Sequence, residues 1–246
     1  MISKNSGRIH IGTSGWSYNH WKKVFYPVNF AVQDWLRYYS LFFDTVEINN
    51  TFYVLPEKNS FFRWRKTVNK DFVFAVKASR YITHIKRLKT PDKATRLFWQ
   101  RVKFLKDNLG PILFQLPPGF KKDTERFKKF IHTLPKGIKA VIEFRNREWF
   151  CREVKNVLAE SNTGFCIYNG LGFTAPLWVT SSMVYIRLHG PKKMYRGNYS
   201  PKELILWSKR IKKWSKDGKE VYCYFNNDYK GYAVKNALNL KSRIKK

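Results

Sequence analysis

Acidic residues are scarce in this chain: 17 aspartates and glutamates face 48 lysines and arginines, for a formal charge of +31. A surface so dominated by one sign repels itself, and an anionic partner or surface relieves that repulsion. Cysteine is equally thin. Cys151, Cys166 and Cys223 lie far apart with no C-x-x-C pair, which excludes a zinc ribbon and a disulfide framework. Long apolar runs are missing too. None approaches the 18 residues of a membrane span, so no membrane insertion is expected. The start, MISKNSGRIHIGTSG, has no apolar segment of signal-peptide length, and the expectation is a soluble, cytoplasmic protein. The phosphate fingerprint G-x-G-x-x-G is absent after the first apolar run. Its nearest approach, Gly12-Thr13-Ser14-Gly15-Trp16, is not G-x-S-x-G either.

What the chain does have is lysine along its whole length, densest in KRIKKWSKDGK (209–219) and KSRIKK (241–246). Nucleic acid is the first partner this suggests, because neutralising phosphates releases condensed counterions. An anionic membrane surface is the second, and a plain solvated basic face the third. Two N-x-S/T sequons, at Asn49 and Asn198, matter only in a secreted chain and are set aside.

Short runs rich in β-branched and aromatic residues recur at 8–13, 44–49, 72–78, 111–116, 138–144, 164–168, 183–189 and 221–226. Amphipathic stretches at 31–42, 93–107, 124–132, 149–160 and 201–215 separate many of them, and Ser200-Pro201 is a good helix start. Strands alternating with helices imply a parallel sheet. Eight such strands predict an α/β fold, a TIM-type (β/α)8 barrel formed by a single domain over residues 1–246.

Such a barrel carries its site on the loops after the strands. Reading only those positions gathers Ser14 and Trp16; Glu47, Asn49 and Tyr53; Lys77 and His84; Gln115; Glu143, Arg145 and Trp149; Arg187, His189 and Tyr195; and Asn226, Asn227 and Asp228. Residues two apart on a strand share a face, so Glu143 pairs with Arg145, Tyr185 with Arg187 and His189, and Tyr222 with Tyr224 and Asn226. Inward-facing Glu47, Lys77, Glu143 and Arg187 then make either a salt-bridge network or a polar site. In the site reading, Lys77 and Arg187 hold an anion while Glu47 or Glu143 moves a proton and His189 serves as acid or orienting group. No two histidines have H-x-x-x-H spacing, so no metal site is assigned, and the residues name no cofactor.

Aromatics supply a further hint. Trp16, Tyr18 and Trp21 follow the first strand, and Tyr195 and Tyr199 follow the seventh beside Lys192, Lys193 and Arg196. They either pack the loops or stack on bases and sugars. QLPPGF (115–120) reads as a stiff structural exit in which only Gln115 reaches a ligand.

The segments GTSGWSYNHW, FYP, VEINNTFY, KASRYITHIKRL, QLPPGF, EFRNREW, YIRLHG and VYCYFNND, followed by GYAVKNAL, together resemble the YecE-like family over essentially the full length and in order. The resemblance implies a TIM-type barrel and no established reaction. Its motifs fall here on Glu47, Asn49, Lys77, His84, Gln115, Glu143, Arg145, Arg187, His189, Asn226, Asn227 and Asp228. Relatives commonly have an acidic residue after the sixth strand, where this chain has Asn169.

Three functions stand open at this point. One is a hydrolase of phosphodiesters acting on a phosphate-bearing ligand or nucleic acid. Another is a non-catalytic nucleic-acid-binding protein, and the third is an enzyme for a small carbohydrate or carboxylate. The oligomeric state is not encoded in any motif.

Overall fold

The expected apolar runs are strands in the computed structural model of the chain, which describes residues 6–89, 93–170, 173–191 and 195–245. Lys192, Lys193, Lys246 and residues 1–5, all cited above, lie outside the described residues. The strands are β1 (Ile9–Thr13), β2 (Thr45–Ile48), β3 (Val73–Lys77), β4 (Leu109–Gln115), β5 (Ala140–Glu143), β6 (Gly164–Gly170), β8 (Met183–Leu188) and β9 (Glu220–Phe225). A two-residue strand, β7 (Phe173–Thr174), folds back antiparallel on the end of β6. Helices α1 (Trp35–Ser40), α2 (Asn50–Tyr53), α3 (Lys58–Thr67), α4 (Lys93–Val102), α5 (Thr124–Thr133), α6 (Arg152–Glu160), α7 (Pro201–Lys216) and α8 (Tyr232–Lys245) alternate with them. This is the α/β order of a TIM-type (β/α)8 chain. Among the described residues no helix is long and apolar enough to cross a membrane.

The chain divides into two compact units. Residues 1–47, 167–177 and 182–246 form unit one; residues 48–166 and 178–181 form unit two.

In unit one β9 lies between β1 and β8, all parallel, with Ile11 opposite Cys223 and Ile186 opposite the same residue. The end of β1 bridges to β2 at Ser14 and Glu47. Gly12 is required there, because a Cβ would fall 2.3 Å from the Thr45 carbonyl oxygen. Tyr39 of α1 fills the space beside it. Its hydroxyl accepts the Thr13 N–H at 3.0 Å and donates to the Thr45 carbonyl at 3.1 Å. Tyr26 stacks on Trp35 at 4.6 Å, and both are buried. Helix α7 starts as its sequence indicates: Ser200 and Glu203 form a reciprocal capping box with Pro201 in the first turn.

In unit two β3, β4, β5 and the start of β6 pair in parallel, with Gln115 opposite Glu143. Aromatic side chains fill the space behind β5. Phe144 stacks on Trp149 at 4.9 Å, and Phe127 meets both edge-on. The Trp149 indole N–H donates to the Phe120 carbonyl at 2.8 Å, which anchors the end of the QLPPGF turn.

Several helix expectations shift. The stretch expected over 93–107 breaks into α4 and a 3-10 segment, Lys103–Asn108, which is itself kinked where Lys106 adopts a positive φ of 48° just before β4. Residues Arg147–Trp149 form a separate 3-10 turn, so α6 starts only at Arg152. Helices α3 and α8 lie outside the expected stretches. Phe61 is the one buried residue of α3, and α8 buries small Ala233 and Ala237 beside Val234 and Leu240, so neither shows a bold apolar stripe.

At the N-terminal strand ends of unit one, buried His10 bonds Asp44 at 3.0 Å, lies 3.6 Å from Glu220, and stacks on Tyr222 at 4.9 Å. Burial by itself disfavours the imidazolium, but Asp44 and Glu220 outweigh it and hold His10 above its ordinary value of 6.5. The folded state therefore binds this proton more tightly than the unfolded chain. Its stabilisation is complete below about pH 6.5 and fades as pH rises through the raised folded value. Urea unfolding of wild type and His10→Gln from about pH 6 to about pH 9 checks this. The wild type is expected to lose stability relative to the variant across that interval, and parallel profiles would contradict it.

Candidate functional site

Glu47 is among the most enclosed of the expected site residues. It is 0% exposed at the end of β2, and Arg187 of β8 is 1% exposed beside it. Period-two alternation on β8 turns Tyr185 and Arg187 to the same face, and both reach this carboxylate. Glu47 Oε1 accepts the Ser14 hydroxyl at 2.6 Å and two guanidinium N–H groups, from Nη2 at 2.8 Å and Nε at 3.2 Å. Oε2 accepts the Tyr185 hydroxyl at 2.6 Å. Burial pushes the carboxyl pKa up, but the Arg187 charge and these hydrogen bonds outweigh it, and the net shift is downward. The Tyr185 hydroxyl, buried against the same anion, is held far above its usual range. Chemically, Glu47 is a fixed carboxylate whose oxygens are already engaged. Arg187 is directed at Glu47.

Beyond this layer, still in unit one, the chain after β6, β8 and β9 forms an amide and imidazole network. His189 is buried, and its Nδ1 bonds the Asn226 amide at 3.1 Å. Its main-chain N–H donates to Asn169 at 2.8 Å, and Tyr168 and Tyr195 meet its ring edge-on. Asn169 donates to Thr174 Oγ1 at 2.9 Å and the Phe173 carbonyl at 3.2 Å, and accepts from Tyr199 at 2.8 Å. A carboxylate supplies no donor for the first two bonds, so the amide suits this hairpin. Asn227 is fully buried and donates to the Gly197 carbonyl at 2.7 Å and to Asn236 at 2.9 Å, which makes it a tie between loops. The Asp228 carboxylate lies 3.4 Å from His20, and its main-chain carbonyl accepts the Trp21 indole N–H at 3.3 Å. Partial burial raises the Asp228 pKa.

Unit two holds a second group. Lys77 ends β3 with its ammonium 3.9 Å from the centre of the Phe52 ring, and His84 meets that ring edge-on at 4.9 Å. Thr51 donates to the Lys77 carbonyl at 2.6 Å, binding α2 to the strand end. Burial lowers the His84 pKa to about 4, with the charges of Lys77 and Arg80 acting in the same direction. A neutral imidazole beside two cations marks a positive local potential. Glu143 forms an ion pair with Arg145 and accepts a weak bond from the Cys166 thiol at 3.7 Å. Gln115 is half-buried, Asn49 keeps a buried side-chain oxygen with no hydrogen-bond partner, and Tyr53 is 71% exposed.

Ser14, Glu47 and Arg187 thus meet directly, as do His189, Tyr195 and Asn226, while Lys77 joins His84 through Phe52 and Glu143 joins Arg145. Trp16 is half-buried, and its carbonyl accepts the Tyr26 hydroxyl at 2.5 Å. Of the other loop aromatics, Trp21 and Tyr199 are buried packing groups. Sequence reasoning left Tyr185, Phe52 and Asn236 out of the site. Alternation with Arg187 marks Tyr185; Phe52 and Asn236 carry no local signal. Among the described residues no three His, Cys, Asp or Glu side chains gather as a metal site.

A family model described as "Protein of unknown function DUF72" matches residues 10–246. The chain is similar to the UPF0759 protein YunF of Bacillus subtilis, with 26% identity over 94% of this chain and 93% of that protein. It is also similar to the UPF0759 protein YecE of Escherichia coli, with 29% identity over 58% of this chain and 51% of that one. Among solved structures, a DUF72 family protein of Thermotoga maritima matches at a TM-score of 0.86 and 28% identity, over 97% of this chain and all of that one (100%). A DUF72 family protein of Enterococcus faecalis matches at 0.82 and 22% identity over 97% and 96%, which speaks for the fold alone.

Two outcomes follow from the geometry. Arg187→Leu leaves Glu47 buried without its counter-charge and is expected to destabilise the protein by about 3–5 kcal/mol. Glu47→Met/Arg187→Leu together lose less than the sum of the single changes; both are read from urea unfolding, and additivity would refute the coupling. NMR titration is expected to place the His84 midpoint near pH 4. In Lys77→Met it moves upward yet stays below 6.5, because burial is the larger cause.

Proposed function

The chain belongs to the DUF72 family of proteins of unknown function, and we propose that this member binds a phosphate-bearing polyanion, with nucleic acid the form its charge fits best. One observation carries the reading: 48 cationic side chains against 17 anionic ones, a charge of +31 distributed over the whole chain. Counterion release from a polyanion offsets the self-repulsion of such a surface, whereas a small neutral sugar does not. Burial is the main cause of the low His84 pKa, and the Lys77 and Arg80 charges that add to it give a positive local potential that supports the same preference in unit two.

Binding without turnover is the form the side chains support. Glu47 would have to break bonds to Ser14, Tyr185 and Arg187 before it could take a proton from a ligand. Arg187, facing that carboxylate, is a positioning group in this reading and not an anion clamp. Residues 1–246 act as one functional domain.

Fluorescence anisotropy with a labelled oligonucleotide tests the proposal. The expected affinity falls steeply with salt, by roughly three or more powers of ten between about 50 and 200 mM if six or more phosphates are neutralised. Salt-independent binding, or none at low salt, would refute it. Wild type and Glu143→Gln are both expected to leave model phosphodiesters uncleaved across a panel of divalent metals. Cleavage lost specifically in Glu143→Gln would replace binding by hydrolysis.

A further inference from the structure

The loops after β1, β8 and β9 are fastened to one another within unit one. His20 and Trp21 both bond the Asp228 carbonyl, at 2.9 and 3.3 Å. Asn227 holds the Gly197 carbonyl at 2.7 Å, and Asn236 accepts the Tyr199 N–H at 3.2 Å. Gly231 packs so closely on Val24 that a Cβ there would lie 2.5 Å from its Cγ1.

On this braced framework two aromatic rings stay in water. Tyr195 is 47% exposed and Tyr229 is 45% exposed, although Trp21 and Tyr199 in the same loops are buried. The Arg196 guanidinium stands 5.1 Å from the Tyr229 ring centre and the Lys230 ammonium 5.6 Å. Tyr195 meets the buried His189 ring edge-on at 5.7 Å, which fixes its attitude. Tyr195 and Lys230 also hold left-handed backbones, with φ of 63° and 55°, a conformation that non-glycine residues rarely adopt. The hydrogen bonds just described hold the loops that carry them.

Half-exposed aromatic rings with mobile cationic side chains over them, which an incoming base displaces toward its own phosphate, are what a nucleobase and its phosphate recognise together. The ring stacks on any base, and the cations meet the backbone. In a duplex the base faces are already covered by their neighbours, so the arrangement selects unpaired strands. We propose that Tyr195 and Tyr229, with Arg196 and Lys230, form a base-stacking subsite for single-stranded nucleic acid. This rests on the polyanion reading above and adds to it the form of the strand and the residues that take its bases.

The test compares a fluorescein-labelled oligothymidylate, an abasic strand of equal length and a duplex of equal length, at one fixed low salt. Wild type is expected to bind the oligothymidylate about tenfold more tightly than the abasic strand, which has the same phosphates and no bases. It is also expected to prefer the oligothymidylate to the duplex. Tyr229→Ala and Tyr195→Ala each reduce the preference over the abasic strand severalfold, and the phenylalanine variants retain it. Equal wild-type affinity for the abasic and base-bearing strands overturns the subsite while leaving polyanion binding intact, a result that needs no variant to fold. Alanine variants with the full preference overturn it as well. Failure of wild type to bind any of the three strands removes the underlying reading together with the subsite.

Discussion

A carboxylate taken out of water must be met by charge and by hydrogen-bond donors, or it does not remain ionised. At the end of β2 that demand falls on Glu47, and three other side chains answer it. Ser14 comes from the turn after β1, while Tyr185 and Arg187 come from one face of β8. Because the donors sit on different parts of unit one, the carboxylate sets the register in which β1, β2 and β8 end. Gly12 and Tyr39 assist just below by letting the Thr45 carbonyl come close to β1. The loops that rise above these strand ends start from positions that this buried group determines.

Those loops are organised by amides. Asn169, Asn226, Asn227 and Asn236 each bond a partner on another loop or helix, and none needs a proton or a counter-ion to do so. In a chain of charge +31, neutral donors and acceptors are an economical means of bracing a surface, since they add nothing to its self-repulsion. The bracing leaves Tyr195 and Tyr229 outward beside cationic side chains. Unit two follows another plan, in which Phe52 lies between an ammonium and an imidazole, and burial together with the neighbouring cations keeps that imidazole neutral.

Local pattern was informative wherever a residue's role depends on near neighbours in the chain. The eight parallel strands were legible from β-branched and aromatic runs, with ends off by a residue or two. Ser200-Pro201 marked the start of α7 because capping is decided within four residues. The shared face of Tyr185 and Arg187 was legible because a strand alternates with period two. Helix α3 escaped because it buries only Phe61, and the kink at Lys106 escaped because one residue with a positive φ leaves no trace in hydropathy.

Partner choice was not legible, because it depends on which side chains meet across tens or hundreds of residues. The sequence by itself determined the strand and helix order, the excess of positive charge and the set of polar residues at strand ends. Tertiary structure alone decided that Glu47 takes Arg187 from 140 positions away. It also decided that Asn227 is a buried tie, that Trp21 and Tyr199 turn inward, and that Tyr195 and Tyr229 face water. Burial decides these roles: an arginine or an asparagine has the same letter whether it meets a ligand or a neighbouring loop, and only the packing of distant segments determines which.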